Sequence, residues 1–200
     1  MTNVLYTHRP AILPEVVYCD TGFVIHLYTA ADPNRLNQVT PNEAQQAREA
    51  LRYFQWARSK GVRFVVSVLT LEELANIYVM RPLEAEARVR NLRGWKALRT
   101  ADPATFARLL AKGRKVGARY RAFAASLQID FLGIRRERIT DDANFPRRVS
   151  EFAWLLLNKY ELDAMDAYHI AWARYCKIDW AATTDSDWKA TGRLNLVMPR

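Results

Sequence analysis

The sequence predicts an α/β fold, a three-layer α/β/α sandwich around a central, mostly parallel sheet of about five strands. Three observations carry this expectation. Short β-branched, apolar runs alternate with longer stretches of helical periodicity. Capping signals stand where the helices should begin, at Thr40-Pro41-Asn42-Glu43, Thr70-Leu71-Glu72-Glu73, Asp102-Pro103 and Asp163. Half of the 200 residues are apolar, enough to build a sizeable core. The length suits one domain, residues 1–200.

Taken in order, Val16–Asp20 reads as a buried strand, and Phe23–Tyr28 continues apolar as the start of a helix. Thr40 and Glu43 open a helix whose apolar positions are Ala44, Ala47, Leu51 and Phe54, and Gly61 stops it. Val62–Leu69 is a second strand. Thr70 and Glu73 form a second capping box, opening a helix through Val79. Leu83–Leu98 is helical with a break near Gly94. Asp102-Pro103 begins a long helix to about Gln128, whose apolar face is Phe106, Leu109, Leu110, Tyr120, Phe123 and Leu127. Residues 129–150 read as a loop with a short element and the charged turn Thr140-Asp141-Asp142. Further helices run from Ser150 and over Ala164–Cys176, the latter capped by Asp163. Ile178–Thr184 and Leu194–Met198 are the remaining strands.

The net charge of +9 is not spread evenly. Residues 81–150 hold 17 Lys+Arg against 7 Asp+Glu, leaving 13 against 14 elsewhere. This segment is expected to be a basic helical insertion, and a basic block on an otherwise neutral chain suits a polyanionic partner. Arg108, Lys112, Lys115 and Arg119 recur at i, i+4, i+7 and i+11, a stripe on one helical face. Trp95, Tyr120 and Phe123 read as core at helical spacing, with base stacking as the alternative. The longest apolar run, Phe152–Leu157, falls far short of the ~20 residues of a membrane span. The N-terminus lacks a secretory pattern, so a cytoplasmic protein is expected. Cys19 and Cys176 have no metal-ligand spacing.

Acidic residues fall at chosen places. Asp20 ends the first strand, Glu73 sits in the first turn after the second, Asp166 in the first turn of a later helix, and Asp185 at the end of the third strand. In an open parallel sheet these positions converge on one edge, where such folds place their sites. Converging carboxylates repel unless protons or a divalent cation neutralise them, and hard oxygen ligands suit Mg²⁺ or Mn²⁺. Each acid also has a plainer reading: Glu73 closing a capping box, Asp166 as a first-turn acid, Asp185 as a cap.

The stretches CDTGFVI, SVLTLEEL, DAMDAYHIAWA and TTDSDW, in this order, resemble the PIN-domain nucleases, particularly the VapC-type toxins of toxin–antitoxin pairs. The resemblance covers residues 16–80 and 151–199, with Trp188 where the family commonly has Phe. It implies that Asp20, Glu73, Asp166 and Asp185 bind Mg²⁺ or Mn²⁺ and hydrolyse RNA phosphodiester bonds, leaving 5′-phosphate and 3′-hydroxyl ends. Asp187 is the less certain fifth acid, and Asp163 a cap or outer acid. Thr21 would orient Asp20 or a nearby water, with Thr184 doing the same near Asp185. His169, one turn after Asp166, is more often a packing residue than a catalytic one. A homodimer and an antitoxin partner also follow from the resemblance alone. The basic segment 81–150 departs from compact toxins of this kind, and Arg108, Lys112, Lys115 and Arg119 are its RNA-binding candidates.

Two other readings compete. Asp20-Thr21-Gly22 matches the aspartic-protease triplet, but those enzymes are all-β and need two such loops, and an Asp-x-Asp phosphatase is excluded by Gly22. A catalytically silent RNA-binding or interaction module of the same fold, or a non-toxin processing nuclease, remains the alternative.

Overall fold

In a computed structural model of the protein, residues 4–6, 13–131 and 145–199 are described. The chain forms two compact units, one built from Met1–Leu69 with Gln128–Arg200 and the other from Thr70–Leu127.

The first unit is α/β. Its sheet has six strands: β1 (Val4–Tyr6), β2 (Val16–Cys19), β3 (Arg63–Val66), β4 (Asp130–Phe131), β5 (Trp180–Ala182) and β6 (Asn195–Met198). They lie in the order β1-β6-β5-β2-β3-β4, and every pairing is parallel. Side chains alternate between the two faces, as the pleat requires. Tyr18, Val65, Ala181, Leu196 and Met198 join one core with α8 (Phe145–Tyr160), α9 (Ala164–Tyr175) and α10 (Trp188–Thr191). On the opposite face Phe64 meets Phe54 and Tyr53 of α3 (Pro41–Ser59), with ring centroids 4.5 and 6.2 Å apart. α1 (Thr21–Ala31) packs on α3, and the short α2 (Pro33–Leu36) follows α1. Helices therefore cover both faces, as an all-parallel sheet needs. Cys19 is fully buried, and burial first, then the neighbouring Asp20 charge, pushes its thiol well up, so it stays an inert core residue.

Several local expectations hold. Thr40 and Glu43 form the capping box in both directions, and the Asp163 side chain accepts from Met165 N at 2.7 Å. The expected sheet of about five strands is present, with six strands among the described residues. β1 has three residues and β4 two, too short to show a period-2 pattern. The Thr70 capping box does not form. Ser67 Oγ, directly after β3, accepts from Leu69 N at 3.2 Å, so α4 (Val68–Ala75) starts two residues before Thr70. Thr70 Oγ1 is left buried without a hydrogen-bond partner among the described residues, and β3 ends at Val66 rather than Leu69. The turn Thr140–Asp142 lies outside the described residues.

The second unit is helical. α4 runs into a π-helical turn (Asn76–Met80), then α5 (Arg81–Val89), α6 (Trp95–Ala101) and α7 (Pro103–Ser126). The expected break near Gly94 is the gap between α5 and α6, with Gly94 at φ +81°. Leu83, Ala87 and Leu98 form its core, with Val79, Trp95, Phe106 and Leu109 packed around them. Trp95 stacks on Phe106, and Tyr120 is buried with its hydroxyl 2.5 Å from that of Tyr78, so both belong to the core rather than to a base-stacking surface.

α7 crosses the π turn at Gly113. A methyl there would press on the Tyr78 carbonyl oxygen and come within 3.0 Å of Val79 Cα. Helix propensity alone would make Gly113→Ala stabilising by about 1 kcal/mol. Backbone overpacking reverses the sign, so the variant is expected to lose about 1–3 kcal/mol in denaturant unfolding.

Candidate functional site: carboxylates at the switch point of the sheet

From β2 the chain moves outward on one side to β3 and β4, while β5 and β6 lie on the other side of β2. The carboxyl ends of β2 and β5 therefore flank the topological switch point, the place where open α/β sheets hold their ligands. Asp20 directly follows β2, and Thr183, Thr184 and Asp185 follow β5.

Asp20 is 6% exposed. Its Oδ1 accepts from Phe23 N at 2.7 Å, which caps α1 and explains why that helix begins at Thr21, not at Phe23. Its Oδ2 accepts from the Thr183 hydroxyl, and its backbone N donates to Ala182 O at 3.0 Å, extending the β2–β5 ladder by one residue. Cys19 pairs with Ala182, so the parallel register sets Asp20 beside Thr183. Hydrogen bonds to the ionised form offset the cost of burying this charge.

Asp166 stands in the first turn of α9, half-buried. Its Oδ1 accepts from Trp188 Nε1 at 2.8 Å. Burial pushes the Asp166 carboxyl up to about 6, against the Trp188 hydrogen bond, and the charges of Asp185, Asp20 and Asp163 push the same way. These acids are thus near enough to sense one another. Asp185 is half-buried: its backbone N donates to Thr183 Oγ1 at 3.0 Å, and its Oδ1 accepts from Asp187 N at 2.8 Å. Asp187 is exposed at the start of α10, and Asp163 is exposed as the cap of α9.

Of the sequence candidates, Asp20, Asp166 and Asp185 are gathered in the first unit, with Asp163 and Asp187 at their rim. Glu73 is half-buried on α4 and belongs to the second unit; with α4 starting at Val68, it lies in the second turn of that helix. Thr21 is buried and its Oγ1 has no hydrogen-bond partner among the described residues, so it does not orient Asp20. That role falls to Thr183, which the sequence reading passed over for its neighbour. Thr184 Oγ1 instead packs against Gly22, where a Cβ would lie 2.5 Å from it and 3.3 Å from Asp20 Oδ1. The glycine of Asp-Thr-Gly is there for this close approach. His169 is buried, and its Nδ1 lies 2.5 Å from the Tyr18 hydroxyl, which is 2.7 Å from Ser67 Oγ, so it is wired into the core.

Among the described residues, no three ligating side chains are drawn close enough to enclose an ion. The donors are all hard carboxylate oxygens, and burial of Asp166 beside the charges of Asp185, Asp20 and Asp163 makes its ionised form costly, which is the chemistry a hard divalent cation relieves. No protein-family model matches the chain, and no curated protein does either.

A carboxyl raised in the folded state favours folding while protonated and opposes it once ionised. The contribution is complete below the unfolded value near 4 and is lost as pH rises through about 6. Asp166→Asn should therefore stabilise the metal-free protein by about 1–2 kcal/mol at pH 8, after discounting for partial exposure, and leave it unchanged below pH 4. Thermal unfolding across that range measures the difference.

Proposed function

We propose that the protein is a divalent-metal-dependent ribonuclease that hydrolyses RNA phosphodiester bonds at this carboxylate cluster, acting as the toxin of a toxin–antitoxin pair. The observation that carries the reading is the buried Asp20 at the switch point, with Asp166 nearby, its carboxyl raised to about 6 by burial first and then by the charges of Asp185, Asp20 and Asp163. Asp20, Asp166 and Asp185 would hold Mg²⁺ or Mn²⁺, directly or through its water shell. The cation would supply an activated water and neutralise charge building on the phosphate. Mg²⁺ is held through one or two carboxylates with water filling the remaining positions, so it does not require a closed protein cage. Thr183 and the Phe23 N–H hold the Asp20 carboxyl in place through both of its oxygens. The antitoxin and a homodimer belong to the same proposal.

RNA as the substrate is supported by α7. This helix of 24 residues contains no acidic residue. Arg108, Lys112, Lys115 and Arg119 on it are all exposed, and none has an ion-pair partner among the described residues. At about 1.5 Å per residue the four cations span about 16 Å, the reach of several phosphates.

Purified protein with structured RNA should cleave in Mg²⁺ or Mn²⁺ and stop in EDTA. Asp20→Asn and Asp166→Asn should each lower the rate more than about a hundredfold, beyond what loss of an outer-shell partner costs. Cleavage surviving EDTA, or intact in both variants, would sink the mechanism. RNA bound by every form and cut by none would establish the silent binding module instead.

Replacing Arg108, Lys112, Lys115 and Arg119 together with Gln should weaken RNA binding and lower the slope of log affinity against log salt by about 3, at about 0.7 per phosphate contact on a single strand. Fluorescence anisotropy across a salt series reads both, and an unchanged slope returns the stripe to an ordinary solvated face.

A further inference from the structure

Trp188 is among the largest fully buried side chains, at 1% exposure, yet it opens a helix of only four residues. Packing alone would be served by any large apolar group. The indole does something an apolar group cannot: Nε1–H points at Asp166 Oδ1, 2.8 Å away and 22 residues back in the chain. Its ring lies against His169, centroids 6.3 Å apart, and His169 is itself fixed through Tyr18. The donor is therefore braced through His169 and aimed. Trp188 also ends a six-residue stretch that touches three carboxylates. Thr183 donates to Asp20, Asp185 is one of the cluster, and Asp187 N donates to Asp185 Oδ1.

We infer that Trp188 is a positioning residue, fixing the Asp166 carboxylate through Oδ1 so that Oδ2 is presented to a hydrated divalent cation at the cluster. The inference rests on the metal-binding reading of the cluster. An outer-shell donor acts on the ligand rather than on the ion: it removes rotational freedom at χ2 and fixes which oxygen is free. One oxygen engaged and one open suits a cation that takes a single oxygen from each carboxylate. Neither Thr183 nor the Asp185 loop reaches Asp166 in any hydrogen bond among those described, so the indole is the group that ties this acid to the strand-end acids.

The test is Mn²⁺ binding by calorimetry at neutral pH, with no substrate present. Two variants separate the hydrogen bond from the packing: Trp188→Phe, and Trp188→3-benzothienylalanine, which keeps the shape of the indole and lacks the N–H. The isostere should keep its melting temperature while its Mn²⁺ dissociation constant rises about tenfold, the low end for loss of an outer-shell partner. Trp188→Phe should show at least the same weakening. In the wild type, the Trp188 indole N–H resonance should shift on Mg²⁺ addition in step with binding, a readout independent of either variant's folding. An isostere that binds Mn²⁺ within twofold of wild type overturns the positioning role and leaves the ribonuclease reading standing. Wild-type protein that binds no Mn²⁺ overturns both.

Discussion

An ionised carboxylate at the end of a buried strand must be bonded or it opposes folding, and the first unit is arranged around meeting that demand at Asp20. The Phe23 N–H bonds one oxygen, which fixes where α1 begins. The Thr183 hydroxyl bonds the other, which requires β5 to lie beside β2 in a register that pairs Cys19 with Ala182. That pairing puts the carboxyl ends of the two strands next to each other, bringing together Asp20 and Thr183, 163 residues apart in sequence. Gly22 then lets the backbone close on Thr184, a contact any side chain would block. One buried charge thus couples a helix start, a strand register and a glycine.

The acids around Asp20 pull the other way. Burial raises the Asp166 carboxyl, and the charges of Asp185, Asp20 and Asp163 raise it further. A fold under selection for stability alone gains nothing by converging these groups, because each added charge raises the cost of ionising the next. The indole of Trp188 offsets part of that cost without removing the charge. Strain of this kind, held at a strand edge and partly offset by neighbours, is what functional sites accumulate.

Much of this was legible in the sequence because it is local. The β2 run, the Thr40–Glu43 box and the Asp163 cap each announce themselves within four residues. Asp20, Asp166 and Asp185 could be placed at one edge because strand ends and helix starts of a parallel sheet share an edge. What was not legible depends on register or on competition between neighbours. Whether Thr183 or Thr184 faces Asp20 is decided by the β2–β5 pairing, since a shift of one residue exchanges the two faces. Ser67 and Thr70 are both good caps, and the one directly after the strand prevails, leaving the Thr70 hydroxyl buried and unbonded. Trp188 reads as a core aromatic in any window, because its partner Asp166 lies on another helix. β1 and β4 are shorter than any pattern that could reveal them.

The second unit poses the converse problem. Arg90 is paired with both Glu86 and Asp102 at 2.7 Å, so where this unit needs a cation neutralised it has the acids to do it. α7 has none. Arg108 and Lys112, and again Lys115 and Arg119, stand four apart on one helix, and each like-charge pair costs a few tenths of a kcal/mol. A single Glu in place of one of these cations would turn repulsion into attraction. The helix tolerates the repulsion because Tyr120, Leu109 and Phe106 anchor its other side. A polyanion lying along the exposed face would replace the repulsion among all four cations with attraction to its phosphates, releasing its own counterions as it did so.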